Sequence, residues 1–386
     1  MTVVVDLDRK ATAPPKVRSA ATMVRHRNTY LGLVLVVVLL NFFGLVMIMS
    51  ASSVQALRDS DGATSWLYVQ RQSVWMGLSV VVLLIAQRVP YRVWGQLAPI
   101  MLGANMLLLV AATFFGTEAF GAQRWLVIGP LRLQPGEFLK FTLLAFVAAM
   151  LARRERQIGD YRRSLNTVIV MMIPVVVLLL MQPDFGSTLI IGAIIFGALF
   201  VAGVPLLPTA VLGAVAIALG TLASLTANYR LARITSFLDP AGDPDGAGFQ
   251  ISQSRISLEA GKLWGSGIGQ GHAKWGYLPN AHTDFIFAVI GEELGLIGAG
   301  VTIALFMTLG LLGYVTALRA PDLLGTILAA GITVGFMFQA FVNIGGVVGI
   351  LPITGLTLPF ISSGGSSLLV TMLSAGVLLN VARHAR

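Results

Sequence analysis

Ten apolar stretches of bilayer-crossing length constrain this chain more than any other feature of it. They lie near residues 30–50, 72–88, 93–115, 137–152, 165–181, 186–203, 206–226, 284–316, 322–348 and 360–382. A helix needs about 20 apolar residues to cross the hydrocarbon core, where every backbone N–H and C=O must be satisfied internally. Unbroken apolar runs of this length meet that requirement as helices. The expected fold is therefore an all-α polytopic membrane protein with about ten transmembrane helices. Composition agrees: 11% of residues are charged, against about 25% in soluble domains, and 56% are hydrophobic.

Loop charge sets the expected orientation, because Lys and Arg are retained on the cytoplasmic side. With the N-terminus inside, the inner segments hold 16 of the 26 Lys and Arg, among them Arg88, Arg92, Arg153, Arg154 and Arg319. The short outer loops and helix mouths hold five: Arg58, Arg71, Arg124, Arg132 and Lys140. The other five lie in the long 227–283 segment, to which the rule gives little weight. An even number of spans then places both termini in the cytoplasm and the long loop outside. The same distribution accounts for the net charge of +9 without a nucleic-acid partner. Residues 1–29 are polar and basic, contain Pro14-Pro15, and read as a disordered cytoplasmic tail before a membrane domain of residues 30–386. The first apolar run is too long for the h-region of a cleaved signal peptide. The chain has no cysteine, so neither a disulfide nor a thiolate enters the reasoning.

Few residues in such a chain carry chemistry. Leu278-Pro279-Asn280-Ala281-His282-Thr283-Asp284 runs straight into the eighth stretch. One reading has Thr283 capping a helix and Asp284 in its first turn, favoured by the helix dipole. The other makes Asp284 a general base for a sugar hydroxyl. Glu292 and Glu293 lie inside the stretch, where an ionisable group costs about 2.5–3.5 kcal/mol. They sit two turns beyond Asp284 and are expected to pair with Lys, Arg or backbone groups of a neighbouring helix. Arg124 and Trp125 suit a phosphate and a sugar face, or else a solvated cation beside an interfacial anchor. Glu137 and Lys140, one turn apart, make either a helix-start ion pair or an oriented cation for pyrophosphate. Gly364-Gly365-Ser366-Ser367 either caps a helix or offers N–H groups to an anion. The glycine-rich run 265–271 lacks the phosphate-loop arrangement and reads as a flexible loop. His272 and His282 lack zinc-binding spacing.

Five segments, taken in order, resemble the SEDS family, the membrane proteins of shape, elongation, division and sporulation. They are Gly121-Ala122-Gln123-Arg124-Trp125, Gln134-Pro135-Gly136-Glu137-Phe138-Leu139-Lys140, Gln182-Pro183-Asp184-Phe185-Gly186, Ala281 through Gly295, and Leu358 through Ser367. The resemblance runs from about residue 30 to the C-terminus. Within the family, residues 281–295 and 355–359 are most similar to division-type members. Gln182, where those members more often carry Glu, leans toward the elongation type. Gly136 stands where serine is common and is expected to loosen the start of the fourth helix. Ser363 stands where tyrosine is frequent and leaves an aromatic contact unfilled.

The resemblance implies a peptidoglycan glycosyltransferase that polymerises lipid II into β-1,4 glycan strands at the outer face of the cytoplasmic membrane during septal wall synthesis. It implies Asp284 as the essential aspartate, with Arg124, Trp125, Glu137, Lys140, His282, Ser362 and Ser366 as the expected substrate-binding set. It also implies undecaprenyl-linked lipid II as substrate, and a class B penicillin-binding transpeptidase and other division membrane proteins as partners. The transpeptidase is expected at the outer ends of the eighth and ninth spans. A divalent cation, Mg or Mn, is compatible with pyrophosphate chemistry, although no closed metal site is visible in the sequence. The competing function class is a lipid II flippase, which would tolerate Asp284→Asn if only hydrogen bonding matters there.

Overall fold

The computed structural model describes residues 20–119, 122–129, 131–157, 161–182, 184–225, 235–243 and 246–385. Its helices are α1 (Ala20–Asp59), α2 (Leu67–Arg88), α3 (Tyr91–Phe115), α4 (Pro135–Arg153), α5 (Tyr161–Met181) and α6 (Phe185–Val201). They continue with α7 (Leu206–Leu225), α8 (Ala247–Gly261), α9 (Ile286–Leu318), α10 (Leu323–Val348) and α11 (Gly365–His384). Each of the ten apolar stretches coincides with one of these helices, and α8 is an additional, more polar helix in the long loop. Among the described residues, eight helices are long and apolar enough to cross a membrane; α6 and the apolar part of α7 (Leu206–Val215) are shorter. Of the expected N-terminal tail, residues 1–19 lie outside the described residues, and α1 already begins at Ala20.

Burial sorts the helices. Most of the apolar surface of α4, α10 and α11 is covered, whereas α2, α3 and α5 turn most of their residues outward. The three central helices carry the polar side chains that matter below. At one end of the bundle, Asp322 caps α10, accepts from Arg92 and Tyr91 at 2.9 Å each, and so ties α10 to the start of α3. At the same end Asn380 of α11 closes the α2–α3 turn by accepting from Tyr91 N at 2.9 Å and donating to Gln87 O at 2.7 Å. The other end holds the starts of α4, α6, α9 and α11 and the end of α10, and it is joined by longer connections.

One of those connections, between α3 and α4, contains a small antiparallel sheet. Its strands are β1 (Thr117–Ala119), β2 (Ala122–Ile128) and β3 (Leu131–Leu133), paired in that order. The sheet is three to seven residues per strand, too short for an alternating pattern to stand out. Thr117 faces Trp125, and Val127 faces Arg132.

The eighth stretch holds a second departure. α9 is not one continuous rod: Gly295 has φ 65° and ψ −164° inside it. That region of backbone space is essentially open to glycine alone. A break in a helix orphans N–H groups on one side and C=O groups on the other. Here the long loop supplies the missing partners. Leu296 N donates to Lys262 O at 2.9 Å and Ile297 N to Leu263 O at 3.3 Å. Before the break, Glu292 O accepts from Ser266 N at 2.9 Å and Glu293 O from Gly267 N at 3.0 Å. Non-helical backbone is tolerated in a membrane protein where protein covers it in this way.

Candidate active site

Asp284 sits at the head of the half-helix Ile286–Leu294. The helix proper starts at Ile286, with Phe285 at the cap position and no side-chain cap. Asp284 therefore precedes the first turn, and the Thr283 hydroxyl turns back to donate to Asn280 O at 3.1 Å instead of capping. The reading of these two residues as a helix start is corrected accordingly. Residues 280–285 form a compact strap: Thr283 N and Phe285 N both donate to Asn280 O, at 3.0 and 3.3 Å. Asn280 itself adopts φ 55°, a left-handed position that asparagine tolerates.

Two other segments hold the strap. Asn343 of α10 donates to Asp284 O at 2.8 Å and to Leu356 O at 2.6 Å. Ser362 donates to Thr283 O at 2.6 Å and accepts from Leu358 N at 2.7 Å, while Ser363 N donates to His282 O at 3.0 Å. The Asp284 side chain is half-buried and lines a recess of about 200 Å³ together with Asn343, Gly346, Ile353 and Thr354.

Lys140 and Glu137 stand at the start of α4, where Pro135 occupies the first turn. Their ion pair measures 2.7 Å, and both side chains are more than nine-tenths buried. Lys140 also donates to Gln339 Oε1 at 3.0 Å, and Gln339 donates in turn to Thr357 O at 2.8 Å. Glu137, Lys140 and Gln339 line a cleft of about 380 Å³ together with Thr371 and Ser374, and Phe141, Ile190 and Phe336 are among its apolar walls. Asp284 and Lys140 thus occupy neighbouring recesses, not one. Asn343 faces the Asp284 recess and Gln339 the Lys140 cleft; four residues apart, they are separated by about 6 Å along α10.

Sequence reasoning about charge missed Gln339 and Asn343. The available signal was two uncharged amides one turn apart in an apolar span, where polar side chains bond across helices.

The other expected site residues are distributed unevenly. Ser366 is buried, accepts from Gln134 N at 3.1 Å and donates to Arg132 O at 3.2 Å, which fixes α11 to the β3–α4 link. Ser362 and Ser366 therefore spend their hydroxyls on holding the site together. Arg124 lies on β2 and donates from Nε to Gln182 O at 2.7 Å. Gln182 itself ties to α3 through Leu109 O at 3.0 Å and Thr113 at 2.8 Å. Trp125 is the next strand residue and faces Thr117, while Gln123 faces Glu118, so Arg124 falls at an irregularity of the strand pairing, where regular alternation of side chains is broken. Gly136 lies against Asp184: a Cβ there would come 3.4 Å from Asp184 Oδ2. Leu179 and Ser187 also lie within 4 Å of that Cβ position. Among the described residues, no group of three His, Asp or Glu comes together as a metal-ligand cluster.

His282 is buried, its ring 4.6 Å from that of Tyr68 and its Nδ1 without a hydrogen-bond partner. Burial pushes its pKa down to about 4, with Asp59 opposing the shift. The ring is therefore neutral in the folded state. As pH falls below the ordinary histidine value of about 6.5, the unfolded chain takes up the proton and the folded one does not. Stability linked to His282 is present above pH ~6.5 and drains away toward pH ~4, by at most about 1.4 kcal/mol per unit. In His282→Gln this contribution is expected to vanish. The stability difference between parent and variant, from unfolding midpoints in detergent, should shrink with acidification over that window. A pH-independent difference would contradict the assignment.

The geometry can be set beside known proteins. Residues 31–386 match the cell cycle protein model named for FtsW, RodA and SpoVE. The chain is 42% identical over 359 residues to a probable peptidoglycan glycosyltransferase FtsW of Geobacter metallireducens, covering 92% of this chain and 94% of that one. It is 38% identical over 357 residues to stage V sporulation protein E of Bacillus subtilis, covering 92% and 97%. Among solved structures it is similar to a chain of a peptidoglycan synthase complex described as coordinating polymerization and crosslinking, with a TM-score of 0.75, 32% identity and coverage of 91% and 97%. The rod shape determining protein RodA of Thermus thermophilus gives a TM-score of 0.66 at 30% identity, covering 91% and 96%.

Proposed function

This chain belongs to the FtsW, RodA and SpoVE family, and from that premise we propose that it is a peptidoglycan glycosyltransferase of septal wall synthesis. It is a multi-pass membrane protein, and its membrane is the cytoplasmic one, with Asp284 toward the outside. Its substrate is lipid II, delivered on an undecaprenyl tail from the outer leaflet. The observation that carries the reading is the coupling of a half-buried carboxylate to a buried cation through one helix: Asp284 O is held by Asn343 and Lys140 by Gln339.

In this mechanism Asp284 takes the proton from the acceptor's 4-hydroxyl. The freed electron pair attacks the anomeric carbon of the donor from the face opposite the leaving group. The bond to lipid pyrophosphate breaks, and an α-linked donor becomes a β-1,4 linkage. Negative charge grows on the departing pyrophosphate, so cations placed there stabilise the transition state more than the ground state. Lys140 and Arg124 supply them, and the helix starts gathered at this end add partial positive charge. Glu137 holds Lys140 in place. A class B penicillin-binding transpeptidase binds the outer ends of α9 and α10 and the long loop, where Trp264, Ile268, Trp275 and Tyr277 are exposed. Exposed apolar and aromatic side chains of this kind are typical of partner faces.

The test uses the purified full chain with lipid II, with and without such a transpeptidase, and reads glycan strands on a gel. Polymer should be scarce alone and abundant with the partner. An absence of polymer with the partner present, combined with movement of labelled lipid II across vesicles, would favour the flippase.

A further inference from the structure

Glu292 and Glu293 play no part in the chemistry above, yet they are 2% and 0% exposed. Each is met by the long loop. His272 N donates to Glu292 Oε1 at 2.6 Å and Ala273 N to Glu292 Oε2 at 3.1 Å. Glu293 accepts from Gly271 N at 3.4 Å, from Lys274 Nζ at 3.2 Å, and from the Ser50 hydroxyl of α1 at 2.6 and 2.7 Å to its two oxygens. Lys274 is buried as well and donates to Gly269 O. The partners expected from sequence were a basic residue or a neighbouring helix. The structure gives Lys274 and loop amides some 20 residues upstream, with α1 contributing Ser50 alone. The glycine-rich run expected to be flexible is the body of this arrangement.

The main chain of the same loop also fills the break at Gly295. The half-helix Ile286–Leu294 is thereby gripped at its far end by backbone and carboxylates together, while Asp284 projects from its near end. A hinge that only glycine can form lies directly after the grip. We propose that Glu292 and Glu293 are positioning residues for the glycosyl transfer. With Lys274 and Ser50 they latch the long loop onto a hinged half-helix, and the latch sets where Asp284 stands. The proposal rests on the glycosyltransferase reading for its catalytic consequence, but its mechanical content is independent of it.

The experiment compares the full-length parent with Lys274→Met, Glu293→Gln and the double variant. Hydrogen exchange by mass spectrometry is read over 266–275 and 280–294. Turnover of lipid II is read with the transpeptidase present. Lys274→Met leaves Glu293 buried without its cation; exchange should rise about tenfold or more in both segments. The rate kcat should fall about 10–100-fold through misplacement of Asp284, with KM changed by less than about twofold. The double variant, which removes both charges, should bring both readouts back most of the way. A loop that exchanges fast beside a 280–294 segment as protected as in the parent overturns the proposal. So does a parent-like kcat in any variant whose loop has come loose. If Lys274→Met does not fold, Ser50→Ala removes one neutral donor and must move both segments in the same direction; unchanged exchange in 280–294, with the loop loosened, overturns the proposal equally. The exchange measurements need no substrate, so they stand even if no polymer is ever formed.

Discussion

Asp284→Asn is expected to lower the initial rate of glycan polymerisation by about 10²–10⁴-fold, the usual worth of a positioned general base. The substitution keeps the shape of the side chain and its hydrogen-bonding capacity but removes its ability to take a proton. It should leave the fold intact, because the strap is held through its main chain: Asn343 donates to Asp284 O and Ser362 to Thr283 O. Unfolding midpoints of parent and variant should therefore agree within a degree or two, on the order of what a neutral surface change does. Asp284→Ala should be as inactive as Asp284→Asn, and Asp284→Glu, which displaces the carboxylate by one methylene, should be partly active. The decisive assay is strand formation from lipid II with the transpeptidase present. Polymerisation by the Asn variant at the parent rate removes Asp284 from the chemistry and returns it to a structural part.

The second large effect concerns Lys140. Its ion pair with Glu137 is buried, and removing one member of a buried pair costs about 3–5 kcal/mol because the other charge is left without compensation. Lys140→Met should lose that much stability, and Glu137→Gln somewhat less, since Lys140 keeps Gln339 as a partner. The double variant Glu137→Gln with Lys140→Met separates structure from function. Without either charge it should recover most of the lost stability, as hydrophobic replacements of buried pairs often do. It should not recover polymerisation, because the cation for pyrophosphate is gone. Unfolding midpoints together with polymerisation rates decide the matter. A stable double variant that polymerises like the parent would show the pair to be a helix-start bridge only.

How much of this was legible beforehand depends on the range of the interactions. Apolar run length is a local property, so the helices were readable. The Glu137–Lys140 pair is also local, one turn apart, and its pairing could be anticipated. Asp284 was readable as a candidate through its neighbours, although its place before the helix start was not, because the strap closes on Asn280 and Ser362. A basic partner for Glu292 and Glu293 was expected, and Lys274 pairs with Glu293; the loop amides that meet both acids could not be read, since a backbone amide from another segment leaves no mark of its own in sequence. Gln339 and Asn343 were hidden for a different reason. A search for charges passes over amides, yet in an apolar interior an amide that both donates and accepts can join two segments. The small sheet at 117–133 was obscured by the shortness of its strands.

The two amides of α10 have a consequence for anything that acts on this protein. Gln339 and Asn343 belong to one stiff rod, so the carboxylate recess and the ammonium cleft share a single mechanical support. A push that slides or turns this rod shifts the holders of acid and cation in one stroke. An inhibitor wedged beside Phe336 would thus be felt at Asp284 without touching it, and resistance to such a compound should arise along the rod as readily as at the pocket wall.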